Sequence, residues 1–206
     1  ISDYSISPNG ELAALSIRGE IFIKKNDKDI QRTVNVSDHP YREPDVAWLN
    51  DSTVVFTSDR EGQYDLYMAM SSDENKTDIF KSLKHKVVRL TKTEGDESNP
   101  VISPDGKKIA YQVGRGTLVT ASINSEGTMS DKKTLLDGWS TPGGVAWSPD
   151  SKWLAYSLDD LYFNSEIYIR AADNSTEPVN VTMHPKGDYA PVWSMDGSKL
   201  GFISDR

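Results

Sequence analysis

The chain contains no cysteine and only three histidines in 206 residues. The first absence excludes a disulfide framework and a thiolate metal site, and it is compatible with either an oxidising or a reducing compartment. Basic residues are also scarce: 23 Lys and Arg against 31 Asp and Glu leave a formal charge of −8. Nucleic acids and anionic membranes are held by clustered Lys and Arg. The one short basic group here, Lys84, Lys86 and Arg89, is interrupted by His85, Val87 and Val88 and reads as a solvated strand edge. No nucleic-acid partner is expected. Long apolar runs are missing too: none approaches the ~18 residues of a membrane span, and no signal-peptide pattern lies within the sequence. Nor is there a P-loop, a dinucleotide fingerprint or a Gly-x-Ser-x-Gly elbow.

What the chain does have is a repeated phrase, a turn followed by a strand of alternating side chains. Its five copies are Ser7-Pro8-Asn9-Gly10, Leu49-Asn50-Asp51-Ser52, Ser103-Pro104-Asp105-Gly106, Ser148-Pro149-Asp150-Ser151 and Ser194-Met195-Asp196-Gly197, spaced by 42, 54, 45 and 46 residues. A period in the forties with several strands per unit is the signature of propeller blades. In the third copy Pro presets φ, Asp can bond nearby backbone and Gly accepts positive φ. Ile109, Tyr111 and Val113 then share one strand face while Lys108, Ala110 and Gln112 share the other. Arg115-Gly116 reads as a tight turn into Thr117–Ala121, and Lys133–Leu136 closes the unit as a fourth strand.

The other units map onto this one. Arg18-Gly19 is the counterpart of Arg115-Gly116, and longer loops span 58–63 and 158–165. Trp48, Trp147 and Trp193 precede their turns by one residue, where a bulky side chain would wedge between adjacent sheets. The 54-residue spacing comes from an insertion of roughly 71–86. Its Ile79, Phe80 and Leu83 fit one face of a short surface helix; an interaction loop is the alternative.

The expected fold is therefore all-β: a β-propeller arc of four-stranded antiparallel blades at about 1–41, 42–97, 98–142 and 143–188, with a partial blade at 189–206. These form one propeller segment over 1–206. The chain starts and stops inside repeats and supplies no strands to complete the fifth blade. On that ground it is expected to be a fragment of a six- to eight-bladed propeller, with unpaired edges that favour association. A homo-oligomer is one possible outcome.

No constellation for catalysis emerges. His39 and His184 both precede proline in equivalent loops, which repeat equivalence explains better than acid–base work; His85 stands apart from them. Gly138-Trp139-Ser140-Thr141-Pro142 only brushes against a nucleophile elbow. Glu94, Asp96 and Glu97, like Asp159 and Asp160, lack the spacing of a calcium loop and read as solvated carboxylates. No catalytic, cofactor-binding or metal residue is assigned, and no cofactor is expected.

The run Tyr4–Gly10 followed by Ser16-Ile17-Arg18-Gly19-Glu20-Ile21-Phe22 resembles the opening blade of the second propeller in tricorn-type serine proteases. The likeness continues through Asn35–Pro44 with Trp48, then Trp147–Leu154, Ser165–Ile169, Pro178–Thr182 and Ile203–Arg206. Asn9, Met195 and the Leu49–Ser52 turn depart from the family phrase in turn-compatible ways. The SPDG phrase itself is shared with TolB-like and WD-like propellers, whereas Arg18–Phe22 is more specific. The resemblance implies a large parent peptidase with a PDZ domain and catalytic domains outside this chain. The propeller would filter unfolded polypeptide and guide peptides to or from the active site. It also implies an extracytoplasmic, periplasmic setting for bacterial relatives and a cytoplasmic one for archaeal relatives. Two other parents remain open: a TolB-like binding module without a peptidase domain, and a prolyl-oligopeptidase-type enzyme.

Overall fold

One serine and one aspartate organise three of the five turns. Ser103 Oγ donates to Asp105 Oδ1 at 2.6 Å and accepts the Lys108 N–H at 2.9 Å, while the Gly106 N–H reaches the Ser103 carbonyl at 2.8 Å. The Lys107 N–H adds a bond to Asp105 Oδ1 at 3.0 Å. Ser148 and Asp150 repeat the hydroxyl–carboxylate bond at 2.6 Å, as do Ser194 and Asp196, and the Ser7 hydroxyl donates instead to the amide oxygen of Asn9 at 2.8 Å. The fourth residue turns left-handed, with φ of 76° at Gly10, 67° at Gly106, 59° at Ser151 and 70° at Gly197. Glycine prevails there because a β-carbon is strained in that region. The phrase is thus a self-contained hydrogen-bonded turn that launches the next strand.

The structure, a computed structural model, describes residues 1–183 and 185–205. His184 and Arg206, both considered above, lie outside the described residues. Among the described residues there are only strands and turns, with no helix. The first sheet orders β1 (Asp3–Ile6), β2 (Leu12–Ile17), β3 (Glu20–Lys25) and β4 (Thr33–Asn35) in sequence. The second comprises β5 (Val46–Asn50), β6 (Thr53–Ser58), β7 (Asp65–Ser71) and β8 (His85–Arg89). The third runs through β9 (Glu97–Ile102), β10 (Lys108–Val113), β11 (Thr117–Ile123) and β12 (Met129–Asp137). The fourth holds β13 (Gly143–Trp147), β14 (Trp153–Asp159), β15 (Ser165–Ala171) and β16 (Val179–Asn180). A two-stranded pair, β17 (Asp188–Trp193) and β18 (Leu200–Ser204), follows. These are β-propeller blades: four complete ones and the first two strands of another, as the repeat predicts.

Backbone contacts divide the chain into two compact units, 1–100 with 123–129 and 101–122 with 130–206. In the first unit Leu12, Ala14, Ile21 and Ile23 of one blade pack on Val46, Trp48, Val54, Phe56 and Tyr67 of the next. Fully burying one such side chain contributes about 1.5–3 kcal/mol. The Trp48 indole N–H also donates to the Ser5 carbonyl at 3.0 Å, so the tryptophan both wedges and pins. Asp3 Oδ2 accepts the Val46 N–H at 3.0 Å, and Asp51 Oδ1 accepts the Asn9 N–H at 2.9 Å. In the second unit the pattern recurs: Trp147 Nε1 donates to the Val101 carbonyl at 3.0 Å and Trp193 Nε1 to that of Ala146 at 3.2 Å.

Two expectations of local structure change. The 71–86 insertion forms no helix. Asp78 Oδ1 collects the N–H groups of Phe80 and Lys81 at 2.9 and 3.2 Å, closing a single turn. Ile79 and Phe80 enter the first unit's core at 0% and 6% exposure, while Leu83 stays out at 78%. Burial of two adjacent residues, not a helical face, decides this segment. The two Arg-Gly turns also differ. Arg18 and Gly19 form a two-residue hairpin with φ of 55° and 88°, the mirror-image turn that suits strand twist. At the other site three residues, 114–116, separate paired Val113 and Thr117, and Gly114 takes the positive φ.

Candidate functional site

Few of the side chains that could carry chemistry are free to do so. His39 stacks on Tyr41 with ring centroids 4.4 Å apart, and His85 Nε2 lies 2.8 Å from the Ile79 carbonyl. Ser140 is buried and its Oγ accepts the Asp159 N–H at 3.3 Å. Asp160 Oδ1 is occupied by the Tyr162 and Asn164 N–H groups at 2.7 and 3.0 Å. Among the described residues no group of three or more His, Cys, Asp or Glu side chains is arranged to hold a metal ion.

A polar corner where the second blade meets the start of the third is the main feature that the sequence reading missed. Glu43, Asp65 and Glu97 are wholly buried there. Glu43 Oε1 meets Arg60 Nη2 at 2.5 Å, and the guanidinium lies 4.7 Å over the Tyr67 ring and 5.6 Å over that of Phe56. Asp65 Oδ2 meets Arg89 Nη2, also at 2.5 Å. Arg89 is therefore an ion-pair partner and not the solvated edge residue it seemed. Glu97 accepts from the Leu66 N–H at 3.1 Å, from Thr93 Oγ1 at 3.1 Å and from the Thr91 hydroxyl, so it too is not a solvated loop carboxylate.

Burial pushes the Glu43 carboxyl above the usual range, against the opposing pull of Ser37, Arg60 and Ser58. Burial likewise raises Glu97 over the effect of Thr91, Leu66 and Thr93. Raised carboxyls mark functional candidates only probabilistically, and these tie strand ends together. The signal for them was available: Glu43, Glu97 and Asp188 each stand six residues before a turn phrase.

In the second unit a concavity of about 630 Å³ is lined by Pro149, Asp150, Trp153, Ile169, Trp193 and Asp196. Its wall is mostly aromatic and aliphatic and its rim carries two carboxylates. The Ser148 hydroxyl holds Asp150 below the usual carboxylate range. Asp196 is held down to about 2, first by the Ser194 hydroxyl and then by Ser198. Ionised, turn-bound carboxylates beside an apolar wall suit binding and offer no proton-transfer pair.

Fold comparison decides the architecture. Nearly the whole chain, 98%, superposes on a crystal structure of the tricorn protease with a TM-score of 0.74 at 19% identity, covering 18% of that chain. The fold is that of a β-propeller, shared with the tricorn protease. This propeller also matches a putative TolB from Agrobacterium tumefaciens over 98% of its length, with a TM-score of 0.65, 19% identity and 68% of that chain. A tricorn protease homolog from Saccharolobus solfataricus is 26% identical over 105 residues, which is 51% of this chain and 9% of that protein. Dipeptidyl-peptidase 5 from Aspergillus fumigatus is 28% identical over 116 residues, 52% of this chain and 14% of that protein. The chain thus spans a small fraction of the curated relatives it matches. No protein-family model matches it.

Proposed function

We propose that this chain is a non-catalytic propeller segment of a tricorn-like serine peptidase, guiding peptides to or from a catalytic domain outside it. The observation that carries the reading is the match of 98% of the chain to the tricorn protease fold. The tricorn homolog and the dipeptidyl-peptidase among its sequence relatives, both named as peptidases, add support. So does the commitment of the Ser and Asp side chains at 103, 105, 148, 150, 194 and 196 to turn bonds, which leaves them without a catalytic frame. The test compares hydrolysis of fluorogenic peptides by the isolated chain and by the whole parent protein. The parent is expected to cleave them and the chain alone to leave them intact. Cleavage by the isolated chain, or an inactive parent, overturns the reading.

A second reading is a TolB-like binding module in a parent without peptidase activity. It is favoured by the coverage of 68% of the TolB chain, against 18% of the tricorn chain. An inactive parent that holds a protein partner through its propeller loops would select it.

A further inference from the structure

We propose that two neighbouring loops of the second unit form a docking surface for a stretch of polypeptide that combines basic and apolar side chains. The β14–β15 loop presents Leu161, Tyr162 and Phe163 at 83%, 84% and 77% exposure. Three consecutive large apolar side chains held in water are unusual, because burying them is favourable wherever the fold permits it. Here the loop backbone holds them out. Asp160 Oδ1 takes two loop N–H groups, the Asp160 N–H bonds the Asn164 carbonyl at 2.9 Å, and Phe163 sits at φ 61°. A bulky residue in that region is a genuine outlier. The β12–β13 loop adds Trp139, 47% exposed, whose ring meets that of Phe163 edge-on at 5.5 Å. The bond from the Asp159 N–H to Ser140 Oγ ties the two loops together.

Charge selects the occupant. Beside the aromatic group lies a small concavity of about 140 Å³ lined by Leu136, Asp137, Trp139, Ser140, Leu158 and Asp159. Two carboxylates flank an indole there, and Asp160 stands next to them in sequence. A lysine or arginine entering it gains ion pairing and the face of Trp139 together. One cation, Arg115, occupies the neighbouring turn, against three carboxylates, Asp137 and Asp159 at the strand ends and Asp160 in the loop. An anionic lipid surface would be repelled by this arrangement. A polypeptide supplies what fits: a basic side chain for the concavity and apolar ones for Leu161, Tyr162 and Phe163. The proposal deepens the peptide-handling reading and rests on it only for the partner being polypeptide.

The test uses two short fluorescent peptides with the same leucines and phenylalanines, one carrying lysines and the other glutamates at the remaining positions. Binding is followed by anisotropy on the intact chain. The lysine peptide is expected to bind at least about tenfold more tightly than the glutamate peptide, with an affinity that falls as salt rises. Leu161→Ser with Tyr162→Ser, both at exposed positions, should weaken it by about tenfold or more, and Asp159→Asn should shrink the preference for lysine. Equal binding of the two peptides overturns the proposal. So does a double variant that instead loses binding to phosphatidylcholine vesicles or loses self-association, since the occupant is then a lipid or a second copy. Lysine-peptide binding that ignores the double substitution sinks this surface and leaves peptide guidance standing. Failure of the parent to cleave peptides sinks that reading without touching this result.

Discussion

Strands β6 and β18 carry nearly the same phrase, Val54-Val55-Phe56-Thr57-Ser58-Asp59-Arg60 and Leu200-Gly201-Phe202-Ile203-Ser204-Asp205-Arg206, and meet opposite fates. Every residue of β6 is buried, whereas in β18 Phe202 is 37% and Ile203 63% exposed. Strand β7 pairs along the whole of β6, and among the described residues no strand pairs with the outer side of β18. A repeat sequence therefore encodes the strand and its turn, and burial comes from the neighbours the strand acquires.

The comparison can be broken most directly at the matched phenylalanines. Phe56→Ala should cost about 3–5 kcal/mol, because a fully buried ring leaves a cavity. Phe202→Ala should cost less than about 1 kcal/mol, as exposed positions usually do. Chemical denaturation measures both, and equal losses would show that β18 is as well supported as β6. Next comes Arg60→Ala, which strands the buried Glu43 and should cost about 3 kcal/mol. Adding Glu43→Gln should recover much of that loss; a double variant as unstable as the single one would assign Arg60's contribution to its stacking on Tyr67 and Phe56.

The tryptophan pins should separate more finely. Trp48→Phe removes an N–H bond inside a sealed core and should cost about 1–2 kcal/mol, whereas Trp193→Phe faces the open concavity and should cost less. A larger loss at Trp193 would reverse the comparison.

The smallest effect is in pH, and its sign differs between the two regions. Asp196 is depressed to about 2, so its stabilising contribution is present above the ordinary aspartate value near ~3.9 and is lost as pH falls toward 2. Glu43 and Glu97 are raised, so the folded state binds their protons more tightly. Their effect is a loss of stability as pH rises from ~4.3 through their elevated values. Thermal unfolding followed against pH should show Asp196→Asn flattening the acid limb and Glu97→Gln flattening the limb above it. Identical profiles for the two variants would refute the assignment.

Sequence alone determined the blades. The serine–aspartate turn is local, its bonds spanning two to five residues, and strand alternation is local as well, so four sheets and a pair could be read from spacing. The place of the tryptophans followed from the same repeat. Tertiary structure decided what depends on partners distant in the chain: Ile79 and Phe80 in a core instead of on a helix, Arg89 on Asp65, and Glu43 on Arg60. It also left Leu161, Tyr162 and Phe163 in water, an outcome that hydrophobicity alone would have reversed. Hydrogen bonds within a turn are set by neighbours in sequence, whereas desolvation is set by whatever chain arrives from elsewhere, and no local pattern specifies that arrival.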